Sequence, residues 1–162
     1  MTGPEQLPPV TLELVTDANR STVEALGVSP RQQNFVASVS DSIKEAADTP
    51  QAMPWYRAIY ADGKPVGFVM ISDNIPPGDP ELLGPYYLWR LLIDEQHQTE
   101  GYGTAALDEV VAYVKTRPGG DALLTSVNLA DDGPLPFYLK YGFERTEQIH
   151  EGERVLVLKL DD

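Results

Sequence analysis

The stretch that most constrains this chain runs from Tyr86 to Val127. Tyr86–Ile93 is a continuous apolar run broken only by Arg90. Such a run suits a central strand buried on both faces. The segment Gln98-Thr99-Glu100-Gly101-Tyr102-Gly103-Thr104 follows, and then Leu107, Val110, Val111 and Val114 recur at i, i+3, i+4 and i+7. That spacing is the apolar stripe of an amphipathic helix of about four turns. Pro118-Gly119-Gly120 ends the helix, and Leu123–Val127 reads as another strand. Strand, helix and strand make one βαβ unit, which predicts parallel strands and a right-handed crossover.

The rest of the chain fills in around this unit. Residues 1–9 hold three prolines and a glycine and read as a flexible tail, leaving 10–162 as a single domain. Val10–Val15 alternates apolar and polar residues, with Val10, Leu12 and Leu14 on the buried side. Asp17 is placed to cap a helix from Ala18 that Gly27 ends. Pro30 is placed to start a short helix, and Ser40 or Asp41 to cap another from Ser42 through Ala47, stopped by Pro50. Tyr56–Tyr60 and Val66–Ser72 read as strands joined at Asp62-Gly63, a hairpin signal. Asp73–Pro85 is rich in proline and glycine and must be a loop. Pro134–Lys140 reads as a short helix closed by Gly142. Phe143–Gln148 and Arg154–Leu160 read as a closing hairpin around Glu151-Gly152.

The glycine segment stands where a strand hands over to a helix. The first amides of a helix have no intrahelical partner, and the helix dipole adds about half a positive charge there. Glycines let a backbone approach a pyrophosphate closely. Three readings of the glycines alone compete. A dinucleotide fingerprint fits Gly101-Tyr102-Gly103-Thr104-Ala105-Ala106, with Asp121 some twenty residues on. Its glycines should follow the strand at once and its acid should close the next strand, and neither holds. A Walker loop is excluded because no Gly-Lys-Ser/Thr follows. The third reading is a glycine turn that binds nothing.

Composition narrows the field. The chain has 25 acidic and 12 basic residues in 162, a formal net charge of −13. That charge repels a nucleic-acid backbone and draws cations in, although acidic surfaces also serve solubility. There is no Cys, so disulfides, thiolate metal sites and a cysteine nucleophile are excluded. No metal cofactor is expected. Met1–Pro9 lacks a basic start and an apolar core, and no apolar run approaches a membrane span. The expectation is a soluble cytoplasmic protein with neither nucleic-acid nor membrane partners.

The glycine segment, the strand before it and Phe137-Tyr138-Leu139-Lys140-Tyr141-Gly142-Phe143 together resemble the GNAT acetyltransferase superfamily. That family's pattern is Q/R-x-x-G-x-G/A followed by F-Y-x-K-x-G-F. The resemblance covers roughly residues 10–160. Gln33–Ala37, Ser42–Ala46, Val66–Met70 and Tyr87–Asp94 further resemble a bacterial branch that includes diamine and spermine/spermidine acetyltransferases. The resemblance implies an α/β GNAT acyl-CoA N-acyltransferase fold. Its mixed central sheet would have about seven strands with a splayed parallel pair, flanked by about four helices.

It also implies direct transfer of an acetyl group from acetyl-CoA to a primary amine of a small cationic, polyamine-like acceptor. Alternatives are a protein or antibiotic amine as acceptor, or a non-catalytic acyl-CoA-binding sensor. Carried over, Leu91, Leu92 and Ile93 offer backbone groups to the pantetheine arm. Gln98, Thr99, Glu100, Gly101, Tyr102, Gly103 and Thr104 hold the pyrophosphate, and Asn128 contacts the far side of the arm. Glu100 departs from the family's usual Lys or Arg. Lys140 is the candidate for the 3′-phosphate. Tyr138 is the candidate general acid, a phenol of pKa about 10 that can protonate the leaving thiolate. The strand at 86–93 lacks the glutamate some members use as base. Water, Asp94, His97 or an amine that binds already neutral remain as options. Dimers are common in the family, and Trp55, Trp89 and the terminal strand are candidates for such an interface.

Overall fold

The computed structural model describes residues 9–27, 38–98, 101–128 and 134–160. Seven strands form one sheet: β1 (Thr11–Glu13), β2 (Pro54–Ala61), β3 (Lys64–Asp73), β4 (Tyr86–Ile93), β5 (Ala122–Val127), β6 (Glu144–His150) and β7 (Glu153–Lys159). Four helices accompany them among the described residues: α1 (Arg20–Glu24), α2 (Val39–Asp48), α3 (Tyr102–Lys115) and α4 (Leu135–Tyr141). The sheet order is β1-β2-β3-β4-β5-β7-β6. Every neighbouring pair is antiparallel except β4 and β5, which α3 connects as a parallel pair. The expected mixed sheet and its parallel pair are therefore present.

Both hairpin turns follow from two residues each. Asp62 and Gly63 have φ of 52° and 75°, and Glu151 and Gly152 have φ of 50° and 81°. Two successive positive φ values match the right-handed twist of the flanking strands, which is why Asp-Gly-type pairs mark such turns.

The sheet separates two apolar layers. On one face Ile59, Val69, Ile71, Tyr86 and Leu88 pack with Leu107, Val110 and Val114 of α3. On the other Ala58, Phe68, Met70 and Leu92 pack with Val23 of α1 and Val39, Ile43 and Ala46 of α2. The stripe read from the sequence as the buried side of α3 faces the sheet as expected, with Leu107, Val110 and Val114 fully buried.

β4 departs from a plain strand in one place. Met70 pairs with Arg90 while Ile71 pairs with Leu88, so Trp89 is an extra residue opposite β3. This bulge keeps two consecutive side chains on the α2 face. Trp89 packs against the α2 layer, and Arg90 Nη2 reaches Glu45 of α2 at 2.5 Å. Beyond the bulge Leu91 and Ile93 return to the α3 face. The expectation of burial on both faces thus holds only in part. Tyr86, Leu88 and Leu92 are buried, whereas Tyr87, Trp89, Arg90, Leu91 and Ile93 are half-buried.

Several local expectations are corrected. The helix after Asp17 begins at Arg20 with Asn19 at its N-cap, and Gly27 does not end it. Asn19 makes no side-chain cap; it accepts from Thr16 N at 2.7 Å and donates to Leu14 O and Tyr60 Oη, both at 3.0 Å. Gly27 instead donates to Asp94 Oδ1 at 3.0 Å. The cap of α2 is Ser38, whose Oγ accepts from Asp41 N at 3.1 Å, rather than Ser40 or Asp41. Leu14 is exposed, because β1 ends at Glu13. Residues 1–8 of the expected tail, the short helix expected to start at Pro30, Gln33–Ala37, Thr99 and Glu100 lie outside the described residues.

Candidate active site

β4 and β5 share one register pair, Tyr87 with Leu124, at the start of β4. Past it the strands are bridged by a side chain: Thr125 Oγ1 donates to Leu88 O at 3.0 Å. On its other edge β4 continues to pair with β3 as far as Ile93 with Gly67. By alternation the backbone groups of Leu91 and Ile93 therefore face an opening on the β5 side, whereas Leu92 O is turned to β3. Gly67 keeps that end of β4 close to β3, since a Cβ there would stand 2.3 Å from Leu92 O.

α3 begins beside this opening. Gly101 is its N-cap with φ 88°, a left-handed conformation that favours glycine. The amides of Tyr102, Gly103 and Thr104 are the first of the helix and point outward along its axis. Gly103 has a different reason to be glycine: a Cβ would meet the Phe137 ring of α4 at 3.2 Å. The glycine pair thus sets the turn and seats α4 on α3. Gln98 Nε2 donates to Ile93 O at 2.9 Å, which ties the loop back to the end of β4. Asn128 directly follows β5 and is exposed.

Tyr138 is 7 % exposed and sits in the α3-side layer. Phe137 and Phe143 flank it edge-on, each with ring centroids 5.3 Å away. Its hydroxyl lies near Thr125, the residue that bridges β4 and β5. Burial is the main reason its pKa lies well above the ordinary phenol value, with the nearby Tyr87 adding to the rise. The phenol is therefore protonated at neutral pH.

A cleft of about 330 Å³ opens on the α2 face of the same region. Tyr87, Trp89 and Arg90 of β4, Ser126 of β5 and Ser72 of β3 form its floor. Glu45 of α2, Glu81 of the 74–85 loop, Glu151 of the last turn and Glu153 of β7 rim it, together with His150. Arg90 is committed to Glu45, so the balance of the rim is acidic. Trp89 Nε1 donates to Ser72 Oγ. Trp55 stacks on Tyr113 of α3 at 4.5 Å between centroids. Both tryptophans are thus engaged within the fold.

A second groove of about 560 Å³ starts at Thr104 and runs between α3, α4 and β7. Lys115, Lys140 and Lys159 line it, along with Asp108, which accepts a hydrogen bond from Tyr141 Oη at 2.6 Å.

The structure thus brings Leu91–Ile93, Gln98 and Gly101–Thr104 to one opening, with Tyr138 close to Thr125 at the β4–β5 bridge. Asp94 is occupied elsewhere, accepting from Gly27 N at 3.0 Å and Gln96 N at 3.4 Å. His97 lies against the Tyr102 ring, edge-on at 6.0 Å. Sequence reasoning missed Ser126 and Glu153. Glu153 stood one residue past a turn signal, and its neighbours across the sheet come from β5, which no local pattern reveals. Among the described residues no cluster of His, Cys, Asp or Glu could hold a metal ion, and no helix is long and apolar enough to cross a membrane.

The sequence matches the profile of the acetyltransferase (GNAT) family over residues 29–143. It is similar to a spermine/spermidine N(1)-acetyltransferase of Bacillus subtilis (strain 168), with 24 % identity over 152 residues, 93 % of this chain and 99 % of that protein. The fold is similar to that of an acetyltransferase from Thermus thermophilus, with a TM-score of 0.71 at 20 % identity, covering 96 % of this chain and 100 % of the other. An aminoglycoside acetyltransferase crystallised with coenzyme A superposes with a TM-score of 0.73 at 18 % identity, over 93 % of this chain and 95 % of that one.

Proposed function

Because the chain belongs to the acetyltransferase (GNAT) family, and is therefore an N-acetyltransferase that uses acetyl-CoA, we propose that its acceptor is a primary amine of a small polycation of polyamine type. The observation that carries this reading is the acidic cleft on the α2 face of β4. It meets the β4–β5 opening where Tyr87 and Ser126 form its floor. A cationic amine gains from four rim carboxylates, of which only Glu45 is offset by a strong cation. The similarity to a protein named for spermine and spermidine supports the same class.

The residues present fit acetyl-CoA. The opening along Leu91–Ile93 leaves strand backbone available to an amide-bearing arm. The N-terminus of α3 offers amides at Tyr102, Gly103 and Thr104, and needs no basic side chain to hold a pyrophosphate. Gln98 and Gly101 shape that turn, and Asn128 borders the arm from β5. Thr99 and Glu100 complete the loop in sequence. The lysine groove from Thr104 to Lys140 suits the 3′-phosphate. The thioester supplies the acetyl carbon. Tyr138, held protonated by burial, donates its O–H to the leaving sulfur. Holding amine and thioester in reach of one another supplies much of the rate, and a strand N–H near the bulge adds polarisation of the carbonyl.

The test is free-thiol release from acetyl-CoA with a panel of polyamines, an aminosugar and N-terminal peptides. Polyamines are expected to give the highest kcat/KM, and background rates with all of them would remove the acceptor assignment. Tyr138→Phe is expected to lower kcat by about 10²-fold while calorimetric affinity for acetyl-CoA stays within a few-fold. An unchanged kcat would remove Tyr138 from catalysis.

A further inference from the structure

The acceptor must lose a proton before it can attack, since an alkylammonium has a pKa of about 10.4. β4 carries no carboxylate inside the cleft, and Asp94 is committed to Gly27 and Gln96. A different carboxylate reaches the floor. Ser126 Oγ donates to Glu153 Oε1 at 2.7 Å. Tyr87 Oη lies 2.6 Å from the same Ser126 Oγ. Because the serine proton is used towards Glu153, the Tyr87 hydroxyl is the donor to Ser126. All the protons of this chain of hydrogen bonds therefore point to Glu153, and a lone pair of the Tyr87 oxygen is left for an incoming N–H. Tyr87 is also the β4 residue paired with β5 where the two strands begin to part.

We propose that Tyr87, Ser126 and Glu153 form the proton relay that deprotonates the acceptor amine, with Glu153 as its terminal base. This rests on the amine-acetylation reading. The ammonium gives one proton to Tyr87 Oη as Tyr87 passes its own to Ser126 Oγ and Ser126 passes its own to Glu153. The carboxyl carries the proton only transiently and hands it to water at the cleft mouth. The freed nitrogen lone pair forms the C–N bond as the C–S bond breaks. The sulfur takes the Tyr138 proton, and the second nitrogen proton restores Tyr138. The sum is ammonium plus thioester giving amide, thiol and one proton to solvent.

The charged groups that face the relay come from every element around it. Arg90 stands on β4, Glu45 on α2, Glu81 in the 74–85 loop, and His150 and Glu151 at the last turn. Arg154, next along β7, is turned away and donates to Thr146 O at 2.8 Å. The relay thus sits under a net acidic rim that holds the ammonium while the hydroxyls of Tyr87 and Ser126 remove its proton.

The experiment compares wild type with Glu153→Gln, Ser126→Ala and Tyr87→Phe, using the full chain, acetyl-CoA and spermidine. Initial rates are measured from about pH 6 to about pH 10, where free amine becomes abundant. Calorimetry of spermidine and of acetyl-CoA, each alone, gives a readout independent of turnover and reports whether each variant is folded. Glu153→Gln is expected to lower kcat at saturating spermidine by about 10²-fold at pH 7, with the deficit shrinking as pH approaches the amine pKa. Tyr87→Phe keeps the ring and its packing and is expected to show the same pH-dependent deficit. The double variant should be no worse than either single one, as for groups that act as a unit. A rise in KM with unaltered kcat would make Glu153 a docking carboxylate and overturn the relay. So would a loss that is the same at every pH. Wild-type turnover with all three variants unchanged overturns the relay alone, whereas no wild-type turnover of spermidine overturns the polyamine reading as well.

Discussion

Single residues carry the tightest constraints in this site. Gly67 lies in the middle of β3, where the sequence shows only a small residue in an apolar run. Across the sheet it faces the end of β4, and a Cβ would sit 2.3 Å from Leu92 O and 2.9 Å from the Ile93 side chain. The backbone would have to separate just where β4 lines the opening to β5. Gly67→Ala is therefore expected to cost about 1–3 kcal/mol and to lower Tm by several degrees. It should also raise KM for acetyl-CoA, and thermal unfolding with and without the co-substrate checks both. Gly101 was legible as a turn residue from its place before a helix. Gly67 was not, because its register partner Ile93 is 26 positions away along the chain.

At the scale of elements, the register of β4 decides which side chains reach the cleft. The bulge at Trp89 puts Arg90 on the α2 face and returns Leu91 and Ile93 to the α3 face. An uninterrupted alternation would have reversed that. No sequence pattern marks it, since both arrangements read as the same apolar run. The Ser38 cap was hidden for a related reason: Ser38, Ser40 and Asp41 all have capping chemistry, and packing of Val39 and Ile43 settles which one does it.

α3 is fastened to the end of β3 by Asp73, which accepts from Tyr113 Oη at 2.5 Å and from Arg117 Nε at 3.0 Å. Burial first, then the Asp73 carboxylate, pushes the Tyr113 phenol up to about 12. A phenol raised in the folded state stabilises the fold fully below its unfolded pKa of about 10. Above that pH the unfolded chain loses its proton first, so stability falls until the folded pKa is reached. Tm is expected to drop between about pH 10 and about pH 12, and Tyr113→Phe should flatten part of that drop. A pH–Tm profile of both proteins is the check.

For the whole molecule, the net charge of −13 has a use once the cleft is located. Its rim gathers carboxylates from α2, the 74–85 loop, the last turn and β7. Long-range attraction to a polycation is screened by salt, with a Debye length of about 10 Å at 0.1 M and about 3 Å at 1 M. KM for spermidine is therefore expected to rise several-fold between about 0.05 M and about 0.5 M NaCl while kcat changes little. A KM that ignores salt would count against electrostatic capture. The acidic total was plain from composition, but its concentration at one mouth came only from three separate segments meeting.

By itself the sequence determined the order of elements, the βαβ unit, the helix start at the glycine segment and the presence of Tyr138 after it. Those features are local: periodicity, turn chemistry and motif spacing act within a few residues of one another. Only the tertiary structure decided where β4 and β5 part, which face Trp89 and Arg90 occupy, and that Glu153 stands behind Ser126 and Tyr87. Each of these depends on register between strands far apart in the chain. A register is set by packing two apolar layers against one sheet, and no single segment holds that information.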